Sequence, residues 1–168
     1  MSKRIFLAAI IFLFLITGFI LWKRQRIKKD EIHYHAGFQV YIDEELQDFS
    51  QTKYMSVKLC GEDEKEHKQD EQLEKAHLHD NIGDVVHVEA EEVKWKDLFK
   101  NIKFNIDRSK PIEGFVNGKK VSDILAYPIK TYDSLVLLIG EYPNSSDYVK
   151  QGVKKEWIKE IERKSESC

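Results

Sequence analysis

Cysteine is scarce: Cys60 and the final residue Cys168 are the only two in 168 residues, and there is no Cys-x-x-Cys pair. That excludes a disulfide-built scaffold. The eight glycines are scattered, and none falls in G-x-G-x-x-G or G-x-x-x-x-G-K-S/T, so no phosphate-cradling loop and no organic cofactor is expected. No His-Glu-x-x-His motif is present, and Ser50, Ser56 and Ser122 stand in no nucleophile elbow. Proline is rare too; Tyr127-Pro128 and Tyr142-Pro143 read as turn punctuation. The body of the chain also lacks net positive charge. Residues 1–29 hold seven Lys/Arg and no acid, whereas the remainder holds 20 basic against 29 acidic residues. An acidic body excludes general affinity for nucleic acid, whose phosphates require a positive surface.

One long apolar run is there. Residues 5–22, IFLAAIIFLFLITGFILW, carry no charge. At 1.5 Å per residue such a helix reaches about 27 Å, close to the hydrocarbon thickness of a bilayer. The run ends in Phe19, Ile20, Leu21 and Trp22 rather than in small residues. It therefore reads as an uncleaved single-pass span in the cell membrane more than as a signal peptide. The basic flank from Lys23 to Lys29 favours a cytoplasmic position for the soluble domain.

The soluble part divides into residues 30–142 and a C-terminal helix and tail at 143–168, after an anchor region at 1–29. Residues 33–42, HYHAGFQVYI, alternate in polarity and predict a strand. Tyr34, Ala36, Phe38, Val40 and Ile42 share one face; His33, His35, Gly37, Gln39 and Tyr41 share the other. A turn at Asp43, Glu44 and Glu45 leads to a short partner strand over 46–49. Residues 61–75 hold seven acids, three lysines and a single aliphatic side chain, so they predict an exposed loop or a solvated helical excursion, with His67 a surface histidine. A strand over 85–90 turns Val86, Val88 and Ala90 one way and Val85, His87 and Glu89 the other. A helix over 93–102 comes next, with Val93, Leu98, Phe99 and Ile102 apolar. An Asn117-Gly118 hairpin lies within 114–121, and the apolar run SLVLLI at 134–139 predicts a strand covered on both faces.

The last helix is expected from the Ser145-Ser146-Asp147 caps to about Arg163. Val149, Val153, Trp157, Ile158 and Ile161 form its docking stripe, and Gly152 weakens its middle. The element order implies an α+β fold, a small mixed β-sheet packed on one helix. The helix at 93–102, then FVNGKKV and SLVLLIG, resembles the second half of β-grasp (ubiquitin-like) domains.

Histidine is concentrated. Five of the six, His33, His35, His77, His79 and His87, fall within 33–35 and 77–87. Side chains two apart on a strand share a face about 7 Å apart, so each His-x-His pair is able to converge on one ion. Asp80 offers a carboxylate, as a ligand or as the acceptor that orients a ring. Imidazole without a thiolate set suits zinc or copper. Cys60 is a further candidate ligand, or the partner of Cys168 in a disulfide. A cupin reading is poor, because no glutamate follows either pair at the expected distance. A histidine-lined polar face that titrates without binding an ion is the plainer alternative.

The segment AHLHDNIGDVVHVEA at 76–90, with HYHAGFQVYID upstream, resembles an uncharacterised group of small prokaryotic membrane-anchored proteins. In those proteins a His-x-His strand precedes a box built around His77, His79, Asp80, Gly83, His87 and Glu89, with Ala76 here where leucine is usual. Similarity extends over roughly residues 33–140. It implies an N-terminal span and an extracytoplasmic domain, against the direction of the basic flank, and it implies no activity. Three functions stay open. One is a membrane-anchored zinc- or copper-binding module. Another is a metal-free interaction module for a cell-envelope protein. The third is a small metal-dependent hydrolase with Glu89 or Asp80 as base.

Overall fold

A computed structural model describes residues 32–56 and 71–165. The apolar run at 5–22, its basic flanks, residues 61–70, Cys60, His67 and Cys168 lie outside the described residues. Among the described residues no helix is long and apolar enough to cross a membrane.

The alternating segment forms β1 (Tyr34–Ile42). Asp43 and Glu44 both adopt positive φ, the conformation a two-residue hairpin turn requires, and lead into β2 (Glu45–Leu46). That strand is shorter than the sequence pattern suggests. After Gln47 the chain departs so that Phe49 enters the core at 2% exposure. The acidic stretch ends in α1 (Glu71–Lys75), which runs directly into β3 (Ala76–His77). Strand β4 (Val85–Val88) and helix α2 (Trp95–Asn101) come next, the helix capped by Asp97, which accepts from the Lys94 N–H at 2.9 Å. Strands β5 (Ile112–Val116) and β6 (Lys119–Val121) form the expected hairpin around Asn117 and Gly118, both at positive φ. Last come β7 (Ser134–Ile139), α3 (Ser145–Val149) and α4 (Lys155–Ser165).

Among the described residues, seven strands make one mixed sheet in the order β3-β4-β1-β7-β5-β6, with β2 on the far end of β1. Only β1 and β7 run parallel; the other neighbours are antiparallel. One face carries Ala36, Phe38, Val40, Val86, Val88, Leu135, Leu137 and Ile139 against Trp95, Leu98 and Phe99 of α2. Burial of these side chains, at about 25 cal/mol per Å² of apolar surface, is what holds the helix to the sheet. The opposite face packs Tyr41, Val136 and Leu138 with Tyr148 of α3, and Val85 with Val153, Ile158 and Ile161 around α4. Strand β7 is thus covered on both sides, as its uninterrupted apolar run predicts.

The C-terminal segment departs from expectation. It forms two helices, not one, broken around Gly152. A Cβ on Gly152 would stand 3.0 Å from Ser134 Oγ and 3.3 Å from Val136, so the chain hugs β7 there. Beyond the break Val153 seats on Gly37, where an added Cβ would lie 2.5 Å from that of Val153. This redirects α4 over the ends of β1 and β4. Trp157, expected in the docking stripe, stays 37% exposed and donates its indole N–H to Asp84 at 3.0 Å.

Candidate metal centre

Strand register gathers the histidines. His35 on β1 pairs across from His87 on β4, and His77 on β3 pairs with the same His87 from the other side. A central histidine is therefore flanked directly by two others, in a row across three strands. Period-two alternation adds His33 beside His35. It also adds His79 beyond β3, because Leu78 between the pair turns fully into the core. The His87 ring stacks on His33 with centroids 4.4 Å apart and on His77 at 4.8 Å. It meets His35 at 4.7 Å and His79 at 5.0 Å, edge to face. The five imidazoles expected from the sequence stand together on one face.

Burial differs among them. His33 is exposed, whereas His35 and His77 are 1% and 7% exposed. Burial, followed by the neighbouring His87, pushes the His35 imidazole down to about 4; the Glu162 carboxylate opposes this. The same leading causes hold His77 at about 4, with Glu89 opposing. Both rings are neutral at pH 7, and each keeps one nitrogen lone pair.

Hydrogen bonds assign the protons. His77 Nδ1 lies 3.1 Å from the Leu73 carbonyl, which only accepts, so Nδ1 carries the proton and Nε2 the lone pair. Asp80 and Asn81 turn the chain with positive φ, a conformation these residue types tolerate. That turn brings Asp80 Oδ2 to 2.6 Å from His79 Nδ1. The carboxylate accepts from Nδ1, and in the tautomer that leaves His79 Nε2 bare, that nitrogen accepts from His87 Nδ1, 2.9 Å away. His87 Nε2 is then the bare nitrogen. It is buried, makes no hydrogen bond, and faces Glu89 Oε1 at 3.2 Å. A lone pair confronting a carboxylate oxygen is unfavourable unless a proton or a cation lies between them.

Among the described residues, two groups of side chains could hold a metal ion: His33, His35 and His87, and His77, His87 and Glu89. Within each group the ligand atoms all lie within 4.8 Å of one another. Tetrahedral zinc with bonds of about 2.0–2.1 Å needs ligand atoms about 3.4 Å apart, so side-chain shifts on the order of 1 Å suffice. Three protein ligands leave a position for water or another ligand, whereas contributions from both groups would close the site. His79 and Asp80 belong to neither group, and they join the cluster through the hydrogen bonds to His87.

Two acidic residues join the cluster. Glu89, which its pattern offered as a base, sits among the potential ligands; its place two residues after His87 on one strand face was the available signal. Glu162 and Ser165 on α4 contact His35, and no local signal foretold that contact. Comparison with models of protein families, with curated proteins and with solved structures finds no match to this chain.

Proposed function

We propose that this chain is a membrane-tethered module that binds a transition-metal ion, zinc or copper, at Nε2 of His87. One observation carries the reading: a buried, unbonded imidazole nitrogen faces a carboxylate oxygen and is flanked across both neighbouring strands by neutral histidines. Both candidate ligand groups share His87, and its Nδ1 is engaged by His79, which leaves Nε2 as the nitrogen to hold an ion. His33 and His35 approach from one side, His77 and Glu89 from the other. Asp80 and His79 orient the central ring from behind, the role that hydrogen-bonded partners commonly play at metal sites. Neutral nitrogen donors with a carboxylate suit Zn²⁺ or Cu²⁺.

In this reading residues 5–22 form the tether, and the resemblance of residues 33–140 to small prokaryotic membrane-anchored proteins favours a domain outside the cytoplasm. The strand order β4-β1-β7-β5-β6, parallel only between β1 and β7 and covered by α2, supports a β-grasp-like description of the domain.

Metal content of the untagged full chain, isolated from membranes in detergent after zinc and copper supplementation, tests the proposal. About one equivalent is expected in the wild type, and His87→Gln should fall below about a tenth of an equivalent. Wild-type protein below that same level refutes metal binding and leaves the metal-free interaction module. Recovery of the chain in the soluble fraction refutes the tether.

A further inference from the structure

Helix α4 brings two polar side chains onto His35. Ser165 Oγ lies 3.3 Å from His35 Nε2 and 2.9 Å from the carbonyl of Glu162. The hydroxyl hydrogen is spent on a carbonyl of its own helix, so the oxygen accepts from His35 Nε2. That leaves His35 Nδ1 buried without a hydrogen bond, 3.6 Å from Glu162 Oε1. As at His87, a bare nitrogen faces a carboxylate oxygen. The carboxylate is itself held in place. The Tyr132 hydroxyl donates to Glu162 Oε2 at 2.5 Å, and the Tyr132 backbone N–H donates to the His35 carbonyl at 2.8 Å. Tyr132, at φ 61°, thus bridges the strand that carries His35 and the helix that carries Glu162.

We propose that Glu162 positions His35 for the metal ion, so that loading the site pins α4 to the sheet. This rests on the metal-binding reading above. With the ion on Nε2 of His35, the ring proton resides on Nδ1 and donates to Glu162. Closing the 3.6 Å gap to the usual N–H···O distance of about 2.9 Å takes a shift of about 0.7 Å. Ser165 gives up its contact with Nε2 and keeps its bond to the helix carbonyl, so no polar group is stranded. Glu162 lies outside both ligand groups and acts through His35. Coupling is reciprocal: whatever this bond adds to metal affinity, the metal adds to the docking of α4. The helix has other anchors, Val153, Ile158 and Ile161 around Val85 and the Trp157–Asp84 bond, which hold it in place without an ion.

The test uses the full chain in detergent. Zn²⁺ affinity is measured by competition with a chromogenic chelator, and amide exchange over residues 155–165 is monitored with and without Zn²⁺. Wild type should bind Zn²⁺ and slow exchange in α4. E162Q should bind about 10- to 100-fold more weakly and lose the zinc-induced slowing, while its melting temperature without metal stays within about 2 °C. Y132F keeps the carboxylate but frees it, and should weaken binding about 3-fold; it decides the matter should E162Q not fold. Wild-type affinity in E162Q, or no loss in Y132F, overturns the coupling alone. Absence of zinc and copper binding in the wild type overturns the metal reading and this inference with it.

Discussion

Acid should destabilise the metal-free domain through two buried rings. In the unfolded chain His35 and His77 protonate near pH 6.5; in the folded chain burial holds both down to about 4. Between those values the unfolded state binds protons that the native state refuses, so stability falls as pH falls. Above pH 6.5 neither state takes the proton and the contribution is fully present. From pH 7 to pH 5 linkage gives a loss of about 2 kcal/mol for each ring. His87 and His79 perturb both rings, so the two losses are not independent, and together they come to about 2–4 kcal/mol. For a domain of this size that is a fall in melting temperature on the order of 10 °C. The assay is thermal unfolding across this pH range with excess chelator, comparing wild type with the double variant His35→Gln, His77→Gln. The variant should lose most of the excess slope while retaining whatever the carboxylates contribute. Equal slopes in the two proteins would refute the claim that these imidazoles are buried neutral. With zinc bound the wild-type loss should steepen, because ligands must shed protons to hold the ion.

Packing and ring orientation give two more expectations. At Gly114 an added Cβ would stand 2.2 Å from Ile124 Cγ1 and 2.3 Å from its Cβ, a stiff β-branched neighbour buried in the core. Gly114→Ala should therefore cost about 2–3 kcal/mol, read as a reduced urea midpoint with an unchanged slope, and an unaltered midpoint would contradict the packing. Asp80→Asn keeps a residue that tolerates positive φ but removes the charge that fixes the His79 proton. Zinc affinity should drop about 10-fold with little change in melting temperature without metal, and full affinity would remove Asp80 from the orienting role.

Much of the sheet was legible along the chain. Period-two alternation in residues 33–42 and 85–90 specified which side chains face α2, and the burial of Ala36, Phe38, Val86 and Val88 agrees with it. Asn117-Gly118 announced its hairpin because both residues accept positive φ. The C-terminal segment departs from its sequence pattern for a tertiary reason. Its i+4 stripe runs through Gly152, but close contact with β7 at that glycine breaks the helix and turns α4 across β1 and β4. Trp95 in the helix at 93–102 is fully buried, a place its neighbours Lys94 and Lys96 hide in the sequence pattern.

By itself, the sequence determined that His33 and His35 share a strand face opposite the apolar side chains, and that His87 and Glu89 share another. Such facts depend only on the alternation of side chains along an extended backbone. The antiparallel pairing of β4 with both β1 and β3 decided that these faces are one face and that His87 stands at its centre. Long-range pairing also decided that Glu162 and Ser165, more than 120 residues beyond His35, complete its surroundings. Register and helix docking arise from the simultaneous burial of distant apolar surfaces, a property of the whole core that no local window of sequence contains.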